Sequence, residues 1–263
     1  MTTHLPFSPT LFDGKSVLVT GGGRGIGHAV AAAFAQTGAR VLVHVGVEAR
    51  GDVAELFPDL DVDARERMSL VAGDLIGEDG PARLIDTAAD RLGGLDVLIN
   101  NAGTMFGRVP AETMTAEHYA RVSDLNARSV VLASTRAIPL LKASGEGAIV
   151  NTTSISATTG GSPGSSIYSA AKAFVSTYTR SLARELAPDK IRVNAVSPGT
   201  IMTDFHRRYS SEEKLAATAK AIPLQRLGTP QDCVGAYLFL SASALSGYIT
   251  GQVLEVNGGQ LMG

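Results

Sequence analysis

Seven short runs recur along this chain in which nearly every residue is apolar: SVLVT from Ser16, RVLVHV from Arg40, MSLVA from Met68, DVLIN from Asp96, AIVNTT from Ala148, IRVNAV from Ile191 and QVLEV from Gln252. A strand with one wet face alternates apolar and polar side chains, whereas a strand apolar at every position is covered on both faces. Patterns of helical period fill the gaps, at His28 to Gln36, Pro81 to Leu92, Ala116 to Lys142, Ser169 to Leu186 and Pro230 to Leu240. These segments are long enough to carry the chain back between parallel strands. The expected fold class is α/β: a single doubly wound, Rossmann-type parallel sheet of about seven strands with helices on both faces. Thr115 is placed to cap one helix and Pro230 to open another. No linker, charge run or repeat divides the chain, so residues 1–263 are read as one domain. Residues 1–12, with Pro6 and Pro9, are read as a loosely held lead-in.

Composition narrows the function. Hydrophobic residues make up 44% and charged residues 18%, enough to bury a core and to exclude disorder. The 23 basic and 25 acidic residues balance to a net charge of −2, which argues against nucleic acid as a partner. A single cysteine, Cys233, permits no intrachain disulfide and suits a reducing compartment. His4, His28, His44, His118 and His206 show no metal-ligand spacing, so no metal site is expected. No apolar stretch reaches the roughly 20 residues that span a bilayer, and the N-terminus has neither a basic nor an apolar leader segment. The expectation is a cytoplasmic chain with no membrane partner.

The first strand runs into Thr20-Gly21-Gly22-Gly23-Arg24-Gly25-Ile26-Gly27 and then a helix. Gly21, Gly25 and Gly27 are spaced G-x-x-x-G-x-G, which is neither G-x-G-x-x-G nor a P-loop. The physics is shared with both: residues without side chains let backbone approach a pyrophosphate, and a helix N-terminus offers free N–H groups. Asp74, past the third strand, either accepts from an adenine amino group or starts a helix. Asn100-Asn101-Ala102-Gly103, past the fourth strand, lies at the carboxyl edge where open α/β sheets bind ligands, though such a tetrapeptide is also an ordinary turn.

Tyr168 and Lys172, four apart, share a helix face. Upstream, Thr153-Ser154-Ile155-Ser156 brings hydroxyls to a strand end. Gly160-Gly161-Ser162-Pro163-Gly164 matches the serine hydrolase pattern G-x-S-x-G, but the residue after the nucleophile must donate its N–H to the oxyanion, and Pro163 has none.

Taken in order, TGGGRGIG, Asp74, NNAG, Asn126, Ser154, YSAAK and PGTIMT from Pro198 resemble the short-chain dehydrogenase/reductase family, and the likeness runs from about Phe12 to Gly259. The resemblance implies an NAD(P)-dependent oxidoreductase interconverting a ketone and a secondary alcohol through a tetrad of Asn126, Ser154, Tyr168 and Lys172. Tyr168 would exchange the proton, with its phenol brought down from a pKa near 10 by the Lys172 ammonium and the nicotinamide cation. Ser154 would bind the substrate oxygen, and Asn126 would hold a water on a proton path from Lys172. Cofactor contacts are implied at Gly21, Arg24, Gly25, Ile26, Gly27, Asp74, Leu75, Asn101, Ala102, Gly103, Tyr168, Lys172, Pro198, Gly199, Ile201 and Thr203. Substrate contacts are implied at Ser154, Ser156 and Tyr168, under a lid spanning 204–222, in a homotetramer. Ser154 stands fourteen residues before Tyr168, where relatives often use thirteen, which keeps Ser156 as second choice. Asn257 replaces a common Asp in a structural turn. NADP(H) is favoured over NAD(H): Val45, Gly46 and Val47 leave no carboxylate at the second strand end, while Arg24 and Arg50 could meet a 2′-phosphate; against this, no Arg stands at the strand end itself and Glu48 could fold back onto the ribose. A non-catalytic, dinucleotide-sensing protein on the same fold is the alternative, distinguished by cofactor binding without turnover.

Overall fold

The computed structural model describes residues 6–48 and 51–262. Its strands are β1 (Ser16–Val19), β2 (Arg40–His44), β3 (Met68–Val71), β4 (Val97–Asn100), β5 (Ala148–Thr152), β6 (Arg192–Pro198) and β7 (Val253–Val256), each within the run expected for it except β6, which continues two residues past Val196 to Pro198. They form one sheet in the order β3-β2-β1-β4-β5-β6-β7, with every neighbouring pair parallel. The order reverses between β1 and β4, which opens a crevice at their carboxyl ends.

The helices are α1 (Gly25–Gln36), α2 (Val53–Leu56), α3 (Val62–Glu66), α4 (Gly80–Leu92), α5 (Ala116–Ser123), α6 (Ser129–Ser144), α7 (Ser156–Thr159), α8 (Ser166–Leu186), α9 (Asp204–Tyr209), α10 (Glu212–Ala221), α11 (Pro230–Ser241) and α12 (Ser243–Ser246). Alternate strand residues feed two cores. Val17, Val19, Val41, Val43, Ile99 and Val150 pack with α1 and α11 on one face. Leu18, Leu42, Leu98 and Ile149 pack with α4, α6 and α8 on the other. This double covering is why the strands show no polar alternation. Thr115 Oγ1 accepts from the His118 N–H at 3.1 Å, and Pro230 opens α11 behind a reciprocal Thr229–Asp232 cap. No helix among the described residues is long and apolar enough to cross a membrane.

Three expectations need correction. The lead-in is held from Phe7 onward: Phe7 and Leu11 pack on the core, and Phe12 is buried with its ring 4.8 Å edge-on to Phe34. Hydrophobic burial outweighs what Pro6 and Pro9 suggest; Met1 to Leu5 lie outside the described residues. The helix expected over Ala116 to Lys142 is interrupted by a wide π-turn at Asp124–Arg128, where the side chain of Asn126 takes over hydrogen bonding. Asp74 starts no helix, because α4 begins at Gly80. The turns α2 and α3 carry too few apolar residues to show a period; the carboxylates of Asp52 and Asp61 start them by accepting from Glu55 N and Ala64 N.

Candidate active site

The glycine turn and the NNAG turn are tied together by one threonine. Thr20 Oγ1 accepts from the N–H groups of Asn101 and Ala102 at 2.9 and 3.0 Å, and Asn101 Nδ2 returns bonds to Thr20 O and Gly21 O. The turns touch so closely that a Cβ on Gly21, whose φ is +65°, would stand 2.8 Å from Ala102 Cα. Gly27 is equally confined: its Cβ would fall 2.5 Å from Gly21 O. The first turn of α1 has no side-chain cap, so its N–H groups around Gly25, Ile26 and Gly27 face the crevice. Thr203 closes the far side, its Cγ2 3.3 Å from where a Gly25 Cβ would be. An uncapped helix start behind backbone that tolerates no Cβ fits a pyrophosphate.

His44 was not singled out by the sequence as part of this region. At the end of β2, its Nδ1 accepts from Gly21 N at 3.1 Å and its Nε2 bonds to Gly73 O at 2.9 Å. The ring therefore links the glycine turn to the loop after β3 in the neutral tautomer protonated at Nε2. Burial pulls its pKa below 6.5, against smaller upward pushes from the Gly73 carbonyl and Asp74. Of the other expected cofactor residues, Asp74 is exposed, with Oδ1 accepting from Ile76 N, while the side chain of Leu75 lies in the core. Pro198 ends β6, Ile201 is buried, and Gly199 packs against Asn257. Asn257 organises the C-terminal turn through Leu261 O and Gly259 N. Val45 packs against Gly23, Glu48 is exposed, and Arg24 is exposed with no hydrogen-bond or ion-pair partner among the described residues. Arg50 lies outside the described residues.

Asn126, Lys172 and Gly103 converge behind the NNAG turn. The π-turn swings Asn126 inward, where Nδ2 donates to Thr104 O and to Val122 O, both at 2.8 Å. Its buried Oδ1 has no partner and faces Gly103 and Lys172; a Cβ on Gly103 would lie 2.6 Å from that oxygen and 3.1 Å from Lys172 Nζ. Lys172 Nζ donates to Thr152 O at 2.8 Å and stands 5.7 Å from the centre of the Tyr168 ring. Burial lowers the Lys172 pKa to about 8. Among the protein's own groups, burial pushes the Tyr168 phenol up to about 12, and only the neighbouring Ser154 hydroxyl draws it back. Desolvation of a phenolate here outweighs anything the protein's own groups supply. Ser154, rather than Ser156, stands beside Tyr168; Ser156 donates to Ser154 Oγ through both its N–H (3.2 Å) and its hydroxyl (3.0 Å).

The segment expected as a lid folds as α9 and α10 and lies over the site. Phe205 sits 5.5 Å from the Tyr168 ring, and Tyr209 shares a 3.1 Å hydrogen bond with Thr104. Nothing local in the sequence marks Phe205, because its partner lies in another helix. The G-x-S-x-G segment is a loop between α7 and α8, where Ser162 Oγ accepts from Lys214 Nζ at 2.9 Å, an arrangement without a histidine base. Cys233 is wholly buried, its thiol raised to about 12 by desolvation.

Residues 21–260 match the family described as enoyl-(acyl carrier protein) reductase. The chain is 36% identical to a 3-oxoacyl-(acyl-carrier-protein) reductase of a Synechocystis species, over 96% of this chain and 99% of that protein. Among solved structures, the NADH-dependent reductase A1-R′ responsible for alginate metabolism superposes with a TM-score of 0.86 at 37% identity, covering 96% of this chain and 99% of that one. A short-chain dehydrogenase/reductase of Brucella melitensis, described as SDR:glucose/ribitol dehydrogenase, gives 0.88 at 30% identity, covering 98% and 100%. Ordered motifs, sheet topology and these full-length likenesses agree, and the chain belongs to the short-chain dehydrogenase/reductase family of oxidoreductases.

Proposed function

We propose that this enzyme transfers hydride reversibly between a nicotinamide dinucleotide, NADP(H) in preference to NAD(H), and a ketone or secondary alcohol. The observation that carries the reading is the convergence of Tyr168, Ser154, Lys172 and Asn126 at the carboxyl edge of the sheet, beside the open N-terminus of α1. The bound nicotinamide supplies the hydride. Tyr168, protonated well above neutral pH, is the proton donor for carbonyl reduction. Ser154 hydrogen-bonds the substrate oxygen as its charge grows. Lys172, mostly ammonium below pH 8, bonds the nicotinamide ribose and favours the phenolate needed for alcohol oxidation. The unpartnered Asn126 Oδ1 holds a water between Lys172 and solvent.

The preference for NADP(H) rests on Val45 at the place of a ribose-binding acid and on the unpaired, exposed Arg24 beside it. Exposed aromatics on α5 and α8, Tyr119 and Phe174, and exposed Tyr248 and Leu254 around the edge strand β7 support assembly as a homotetramer. The buried, lone Cys233 is in keeping with a cytoplasmic enzyme. The decisive experiment follows absorbance at 340 nm over a panel of ketones and alcohols for the native enzyme and Tyr168→Phe. The substitution should cut kcat by about a thousandfold or more while dinucleotide affinity stays within about threefold. Turnover within about tenfold of native would refute the assignment.

A further inference from the structure

The mouth of the site carries cations from three separate segments. Arg108, in the loop after β4, donates Nε to Tyr209 O at 2.8 Å and Nη1 to Pro163 O at 3.1 Å, leaving Nη2 without a partner among the described residues. Lys214, on α10, reaches Ser162 Oγ at 2.9 Å. Arg208, on α9, lines an open cleft of about 540 Å³ with Gly107, Arg108 and Tyr209.

None of these three cations has a carboxylate within ion-pair distance among the described residues. The lid's acids are otherwise engaged: Asp204 pairs with Arg207 at 3.2 Å, and Glu213 folds back onto its own N–H and Ser211. Glu212 is exposed at the outer start of α10. His206, facing inward beside Phe205, is held neutral by burial and by Arg108 and Lys214; its Nδ1 is buried without a partner. Tyr209, whose carbonyl Arg108 holds, is also 5.1 Å from Phe205, the ring covering Tyr168. The cationic cleft is therefore linked to the proton donor through the rings of Tyr209 and Phe205.

We infer that the substrate is an anionic ketone or alcohol, whose carboxylate or phosphate tail is bound by Arg108, Lys214 and Arg208 while its carbonyl meets Tyr168. This rests on the hydride-transfer reading above and adds the substrate class to it. A carboxylate or a phosphate can take the fork of Arg208, the Nη2 that Arg108 leaves free and the ammonium of Lys214.

The test measures kcat/KM with saturating reduced cofactor for matched pairs that differ only in charge. The pairs are oxo acids from 4-oxopentanoate to 7-oxooctanoate beside their methyl esters, and dihydroxyacetone phosphate beside dihydroxyacetone. At least one anion should exceed its neutral partner by about ten- to a hundredfold, the best series telling carboxylate from phosphate. In Lys214→Gln/Arg208→Gln, whose sites are exposed and spare the fold, that ratio should collapse towards one. Neutral partners used as well as or better than anions in every pair would overturn the inference and leave hydride transfer standing. A ratio unchanged in the double variant would overturn the assignment to these residues. No turnover of any member, with dinucleotide still bound, would bring down both readings together.

Discussion

The two ends of the crevice are built by opposite means. At the glycine end, contacts run through backbone: Thr20 fastens two turns, and neither Gly21 nor Gly27 has room for a methyl group. At the lid end, contacts run through side chains on exposed helices, from Phe205 over Tyr168 to Arg108 and Lys214. A pyrophosphate is always recognised by N–H groups and close approach, so its site demands an absence of side chains. A substrate varies from enzyme to enzyme, and its recognition has to be written in side chains that can change without moving the sheet. On the proposed reading, cofactor chemistry and substrate choice are separated in space, with Tyr168 where they meet.

That contrast can be broken or sharpened by experiment. Gly27→Ala forces a Cβ against Gly21 O and should weaken dinucleotide binding by about a hundredfold, with the circular dichroism spectrum kept. Binding within about threefold would mean that the turn is more pliant than its contacts indicate. Arg24→Ala, a side-chain change at the same end, should weaken NADPH by about ten- to a hundredfold and leave NADH nearly unchanged. An equal loss for both cofactors, or higher native kcat/KM with NADH, would remove the NADP preference. At the other end, Phe205→Ala should change KM for the ketone by several-fold while dinucleotide affinity holds. A shift in cofactor affinity alone would show that the two ends are not independent.

The smallest effect expected is with pH. His206 is held near a pKa of about 4, and His28 and His44 also lie below 6.5 because of burial. A histidine whose folded pKa is depressed binds its proton more readily when unfolded, so its contribution is intact above pH 6.5 and is lost as pH falls towards 4. The melting midpoint should drop over that window, and less steeply in His206→Gln. His44 adds a local readout. Protonating Nδ1 removes the acceptor for Gly21 N, so dinucleotide affinity should also weaken below pH 6.5, an effect that His206→Gln should leave unchanged.

The sequence determined the sheet, because a strand buried on both faces must be apolar throughout, and Ser16–Val19 or Val97–Asn100 announce this without any partner. It also determined the glycine turn and the four-residue spacing of Tyr168 and Lys172, which are local geometry. Tertiary structure decided what depends on separate loops meeting at one edge. The choice of Ser154 over Ser156 follows from which hydroxyl faces Tyr168, and the inward turn at Asn126 from a helix that breaks its own period. The links from His44 to Gly21 and from Phe205 to Tyr168, and the neighbouring placement of Arg108, Lys214 and Arg208, join residues far apart in sequence. A local pattern records only whether a side chain is buried and with what period. Which side chains it then meets, and hence the raised Tyr168 and lowered Lys172, is set by the crossovers that bring the ends of β1 to β6 to one crevice.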